Sequence, residues 1–244
     1  MTDGMPRRYA AEFVGTFGIV FGPVALAGTG ALPGAETGLT AAAWVSGLAV
    51  LAMIYALGHI SAAHFNPAVT VAFAVARRFP SRYVLPYAAA QVAGSITAAA
   101  ACALLFGGGH GAHVPAVDGA RAAGTEACLT FLLMLVIISV ATDRRVNDAV
   151  PGLAIGLTVV FDVLIGGPVT GGSMNPVRSL GPALFAGGTA LHAYWIYAVG
   201  PVLGAVAAAL LYEALRGSEE HAQGAPNDLA LALAKVEHAG REKG

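Results

Sequence analysis

Of 244 residues, 57% are hydrophobic and 11% charged, with a mean hydropathy of +0.70 and a formal net charge of −1. Soluble domains carry about a quarter charged residues, so this composition excludes one and describes a chain that resides in lipid. There is no basic field of the kind a nucleic-acid partner requires. Two cysteines, Cys102 and Cys128, with no metal-ligand spacing around them, suggest neither a disulfide framework nor a metal or other cofactor; both are expected to be buried small hydrophobes.

In chain order, six apolar stretches approach the roughly 20 residues needed to cross a bilayer: Tyr9 to Thr29, Thr40 to Ile60, Tyr83 to Phe106, Thr125 to Thr142, Val150 to Gly166 and His192 to Leu215. The first holds Glu12 and runs on without a cleavage-like boundary, so it is read as a retained span. Between spans two and three comes HFNPAVT, and between five and six SMNPVRS. Asn is a strong helix N-cap and Pro suits the first helical position, so Asn66-Pro67 and Asn175-Pro176 each read as a helix start. The segment from Ala68 to about Arg77 would rise roughly 15 Å, half of a hydrocarbon core of about 30 Å.

The two halves echo each other. AEFVGTFGIVF around Glu12 matches TEACLTFLLML around Glu126, 114 residues on, and the two Asn-Pro pairs lie 109 residues apart. Three spans per half is an odd number, so the second half inserts upside down relative to the first, which puts a site near the midplane between them. The organisation expected is a first repeat at 1–106, a connecting loop at 107–124, a second repeat at 125–215 and a cytoplasmic tail at 216–244, with a short amphipathic helix over Asp228 to His238. Arg7, Arg8, Arg77, Arg78, Arg82, Arg144, Arg145 and Arg216 fall on one side, which makes both termini cytoplasmic. His110 and His113 in the connecting loop are expected to be plain solvated residues.

These motifs carry a resemblance. HFNPAVT, MNPVRS with the following LGPA, and the paired Glu12 and Glu126 look like the aquaporin family of major intrinsic proteins over roughly residues 8 to 215. GHISAAHFNPAVTVAFAVARRFP and GGSMNPVRSLGPA are most similar to its nodulin-26-like branch. The resemblance implies an all-α membrane protein of six transmembrane helices and two half-helices, assembled as a homotetramer in the cell membrane, with a pore in each protomer. Asn66 and Asn175 are expected to donate at the pore centre. Backbone carbonyls of Ala62, Ala63, His64, Gly171, Gly172 and Ser173 are expected to line it. Counting back from each Asn-Pro gives a selectivity filter of Ser46, Val163, Gly172 and Arg178, with Trp44 on another face of its helix. Glu12 and Glu126 are expected to brace the loops behind the half-helices.

Such a channel passes small neutral solutes, with glycerol, metalloid hydroxides such as arsenite, and water expected, and excludes ions and protons. Water-restricted members resemble one another in Phe and His at the first two filter positions, and glycerol facilitators in Trp first and Asp after the Arg; here Ser46, Val163 and Ser179 stand there. Three alternatives remain: a water-selective channel, a proton-coupled transporter using Glu12, Glu126 or Asp162, and an adhesive membrane protein without flux. An enzyme is not expected, since no nucleophile or metal site accompanies the carboxylates. Asp162 is read either as a support behind the filter or as a loop anchor, and His59 and His64 as hydrogen-bonded structural residues rather than gates. Ala62 stands where the family has Gly, and it would be strained if that position needs an unusual dihedral.

Overall fold

The computed structural model describes residues 4–32, 34, 35, 37–142 and 150–221, the last five by backbone alone. The arginines at 144 and 145 and the expected tail helix lie outside the described residues. Within them the chain is all helical: α1 Met5–Gly30, α2 Leu39–Ser61, α3 Pro67–Val75, α4 Val84–Phe106, α5 Gly119–Thr142, α6 Val150–Thr170, α7 Pro176–Ala186, the short α8 Gly188–His192, and α9 Tyr194–His221. Six of these, α1, α2, α4, α5, α6 and α9, are long and apolar enough to span a membrane.

α3 and α7 are the half-helices. At nine and eleven residues they rise roughly 14 and 16 Å, so end to end they account for about one hydrocarbon thickness. Each begins where the sequence says. Asn66 caps α3 by accepting from the Ala68 N–H, and Asn175 caps α7 by accepting from the Val177 N–H. α3 stops at Val75 because the N–H groups of Arg78 and Phe79 both return to the Phe73 carbonyl, and Arg77 turns through φ +57°.

Elsewhere helix ends depart from the expected limits. α5 starts six residues early, at Gly119: Asp118 accepts from the Arg121 N–H at 3.1 Å, and Ala122 packs on Ile196 and Tyr197. The Gly-rich segment is therefore helical over its last part. α6 runs four residues past Gly166 and through Pro168, with its last turn tied to Glu126 by the Thr170 hydroxyl at 2.7 Å.

The inverted repeat governs the packing. α1 lies on α4 as α5 lies on α9, and α2 lies on α6 across the approximate two-fold. Small residues permit these approaches. A Cβ at Gly94 would strike the backbone oxygen of Phe13, one at Gly204 that of Ala127, and Gly47 and Gly156 face each other between α2 and α6. Phe13 and Ala127 each follow the paired glutamates directly, so each of these close helix contacts lies beside one of the two carboxylates.

Candidate functional site

Two networks related by the repeat hold the loops ahead of α3 and α7. Glu12, wholly buried, accepts from the Ser61 hydroxyl (2.7 Å), the His64 N–H (3.0 Å), the Phe65 N–H (2.7 Å) and the Gln91 side-chain amide (2.7 Å). Glu126, also wholly buried, accepts from the Thr170 hydroxyl (2.7 Å), the Ser173 N–H (3.0 Å) and the Met174 N–H (2.7 Å). A carboxylate is suited to this because it offers only acceptor lone pairs and the loops turn backbone N–H donors toward it. Ser61 and Thr170 pass the bracing on, accepting from the N–H groups of Ala63 and Gly172 at 3.1 Å each.

With their N–H groups turned to the carboxylates, the loops bend through the left-handed region at matching places. φ is +69°, +51° and +48° at Ala62, Ala63 and Phe65, and +93°, +65° and +55° at Gly171, Gly172 and Met174. Ala62 thus occupies a dihedral that favours glycine, and the conformation costs about 1–2 kcal/mol for a residue with a Cβ. At the equivalent place in the second loop, glycine is required twice over. A Cβ on Gly171 would lie 2.5 Å from the His113 ring.

The half-helix tips meet. The Asn66 amide donates to the Met174 carbonyl at 2.8 Å and the Asn175 amide donates to the Phe65 carbonyl at 2.9 Å, each reaching into the opposite loop. Both Asn residues also border a cavity of about 650 Å³ that runs along the interior.

Ser46, Val163, Gly172 and Arg178 all border this cavity, with Val159 and Ile155 continuing the α6 wall one and two turns on. Trp44 points outward, 46% exposed. Ala62, Ala63, His64 and Ser173 border the cavity as well. Gly171 does not. Its N–H turns back onto the Gly166 and Gly167 carbonyls, and the His113 ring covers its other side. No carboxylate among the described residues lines the cavity, and Arg178 is its one permanently charged side chain there, donating to the Gly111 carbonyl at 3.2 Å.

Several residues depart from their expected setting. His113 is not solvated: it is buried, its Nδ1 lies 2.8 Å from the Ser179 hydroxyl, and its ring packs on Tyr197. Burial and the nearby Arg178 guanidinium hold its pKa well below the ordinary imidazole range. The sequence carried no periodic signal for it, because the contact comes from an irregular loop folding back over α7. Cys102 is buried, but Cys128 is exposed on the outer face of α5, since the inner face is taken by Glu126, Leu129 and Thr130. Asp162 is wholly buried and off the cavity lining, and neither carboxylate oxygen has a hydrogen-bond partner among the described residues. His64 Nδ1 lies 3.1 Å from the Thr70 hydroxyl, and His59 borders the cavity. Arg78, counted among the basic residues of the inner side, is mostly buried in an ion pair with Glu213 (2.5 Å).

Known proteins with the same features supply the family. The profile of the major intrinsic protein family matches residues 2–212. Aquaporin NIP1-1 of Oryza sativa subsp. japonica is 46% identical over 218 residues, 86% of this chain and 74% of that protein. The putative aquaporin NIP4-1 of Arabidopsis thaliana is 42% identical, over 88% and 77% of the two chains. The crystal structure of the aquaglyceroporin from Plasmodium falciparum superposes with a TM-score of 0.78 over 85% of this chain and 95% of its own, at 23% identity, which speaks for the fold alone. The chain belongs to the major intrinsic protein family, whose aquaporins are membrane channels and not enzymes.

Proposed function

We propose that the cavity is a passive pore for small uncharged hydroxylated solutes, glycerol and undissociated metalloid acids such as arsenous acid, together with water. The observation that carries this reading is the set of side chains at the filter level. Ser46 and Val163 leave the α2 and α6 walls small, Gly172 adds only backbone, and Arg178 is the one strong donor. A compact triol sheds water on entering such a constriction. It is repaid by acceptors from the loop carbonyls and donors from Arg178, Asn66 and Asn175, while a cation meets fixed positive charge and the positive ends of two half-helix dipoles. The same two Asn donors orient a water at the centre so that it cannot relay a proton in both directions. The nodulin-26-like names of the relatives agree with a solute channel.

Glu12 and Glu126 are structural in this account, since both lie behind the loops and neither borders the cavity. That weighs against a proton-coupled transporter, which needs a titrating group exposed to the path. The homotetramer, the cytoplasmic termini and the cell membrane belong to the same proposal. They rest on the family resemblance and on the distribution of basic residues.

Filling the constriction is the test. Ser46→Phe with Val163→His should abolish glycerol and arsenous acid flux in reconstituted vesicles and leave water flux measurable. Unchanged glycerol flux in that variant would mean that these positions do not form the constriction.

A further inference from the structure

His64 and Ser173 hold equivalent places, each two residues before the half-helix Asn, and so do Thr70 and Ser179, each four residues after it. In the first repeat the Thr70 hydroxyl donates to the Asn66 carbonyl at 3.0 Å, and His64 Nδ1 sits 3.1 Å from that hydroxyl. The His64 ring packs against Tyr87, whose hydroxyl donates to the Ser61 carbonyl. The second repeat has serine where His64 would be, yet its tyrosine is present. Tyr197 donates to the Thr170 carbonyl at 2.7 Å, and the ring packed on it, 5.3 Å between centroids, is His113 from the connecting loop.

The hydrogen bonds around His113 have one consistent direction. The Asn175 carbonyl can only accept, so the single proton of the Ser173 hydroxyl is committed to it at 2.9 Å. The Ser179 hydroxyl, 2.6 Å from Ser173, must then donate to Ser173, which leaves it an acceptor for Nδ1–H of His113 at 2.8 Å. The chain therefore runs from imidazole to Ser179 to Ser173 to the carbonyl of the Asn that caps α7. Its facing groups are Ser179 and the Arg178 guanidinium of α7, Tyr197 of α9 and the Gly171 backbone. With the ring held neutral by burial and by Arg178, Nδ1 carries its only N–H.

We infer that His113 is a positioning residue for the pore: its Nδ1–H donation to Ser179, adjoining Arg178, supplies from the connecting loop the imidazole that His64 supplies in the first repeat, and so sets the place of Arg178 and the selectivity of the filter. The same loop holds the guanidinium itself through the Gly111 carbonyl, so loop and filter turn form one clamp. This rests on the proposed role of Arg178, and the experiment separates the two.

Asn at position 113 places an amide donor where Nδ1 stands, whereas Leu fills the ring's volume without a donor. Glycerol and water permeabilities are measured by stopped-flow light scattering on vesicles containing wild type, His113→Leu, His113→Asn, Ser179→Ala and Arg178→Val. His113→Leu and Ser179→Ala should each shift the glycerol-to-water ratio by about fivefold, the size of one hydrogen bond lost. The His113→Leu/Ser179→Ala double variant should shift it no further, and His113→Asn should keep the wild-type ratio. If Arg178→Val shifts the ratio while His113→Leu leaves it unchanged, the positioning role is wrong and the filter stands. If neither shifts it, the filter assignment itself fails. Should His113→Leu not fold, a His113→Asn ratio unlike wild type, or a Ser179→Ala ratio that stays at the wild-type value, overturns the inference.

Discussion

Replacing Glu126 by Gln exchanges one acceptor oxygen for an NH2 group and changes almost no volume. The side chain has two ways to sit. With its carbonyl kept toward Ser173 and Thr170, the amide faces the Met174 N–H, donor against donor; turned over, it can still satisfy the Thr170 hydroxyl but orphans the Ser173 N–H. Either way one fully buried backbone donor loses its acceptor, at about 1–3 kcal/mol, and the surviving bonds fall from charge-assisted to neutral, roughly 1 kcal/mol each. The sum is about 3–5 kcal/mol, a large share of the roughly 5–15 kcal/mol that holds a protein folded. Unfolding of purified protein in mixed dodecyl sulfate and maltoside micelles measures it, with Arg178→Val as the comparison. Arg178 borders the cavity and gives up one bond to a loop carbonyl, so it should lose about 1 kcal/mol or less. A Glu126→Gln protein as stable as wild type but stripped of a pH-driven flux would refute the bracing role and favour a proton carrier.

Three further outcomes are expected. Ala62→Gly should raise stability by up to about 1 kcal/mol in the same unfolding assay, because φ +69° is free to glycine; a loss would mean that the Ala62 methyl packs favourably enough to outweigh the strain. His113 should make stability fall with acid. The unfolded chain takes up a proton near pH 6.5, and the fold refuses it until well below, so stability present above about pH 6.5 declines as pH drops beneath it; the difference in melting temperature between wild type and His113→Asn should shrink or reverse from pH 7 to 5, and a constant difference would show that His113 titrates alike in both states. Arg178→Val should admit cations into vesicles while the protein stays folded, read by a potential-sensitive dye, and undiminished exclusion would assign that barrier to the half-helix dipoles alone.

The parts of the architecture legible in the sequence were those with local chemistry. Asn-Pro announces its own helix start, and apolar length announces a span, so α3, α7 and the cores of the six long helices could be read directly. The helix limits were less legible because tertiary contacts set them: Ala122 against Ile196 and Tyr197 extends α5 into a Gly-rich segment, and Thr170 on Glu126 carries α6 past Pro168. Ala62 in place of the family Gly is visible in the sequence, but its left-handed dihedral is set by the folded loop braced on Glu12. His113 was hidden for a different reason. A histidine in a Gly-rich loop carries no period, and it is its burial against Gly171, Tyr197 and the Ser179 hydroxyl that distinguishes it from His110.

The central claim is selective passive conduction. The most direct measurement records glycerol and arsenous acid entry into vesicles of wild-type protein by stopped-flow scattering, with an interior pH dye reporting proton leak in the same preparation. Solute entry should rise in proportion to protein content, without any dependence on an imposed pH gradient, while proton leak stays at the level of empty vesicles. Water flux with neither glycerol nor arsenous acid entry, or proton leak that scales with protein, would contradict it.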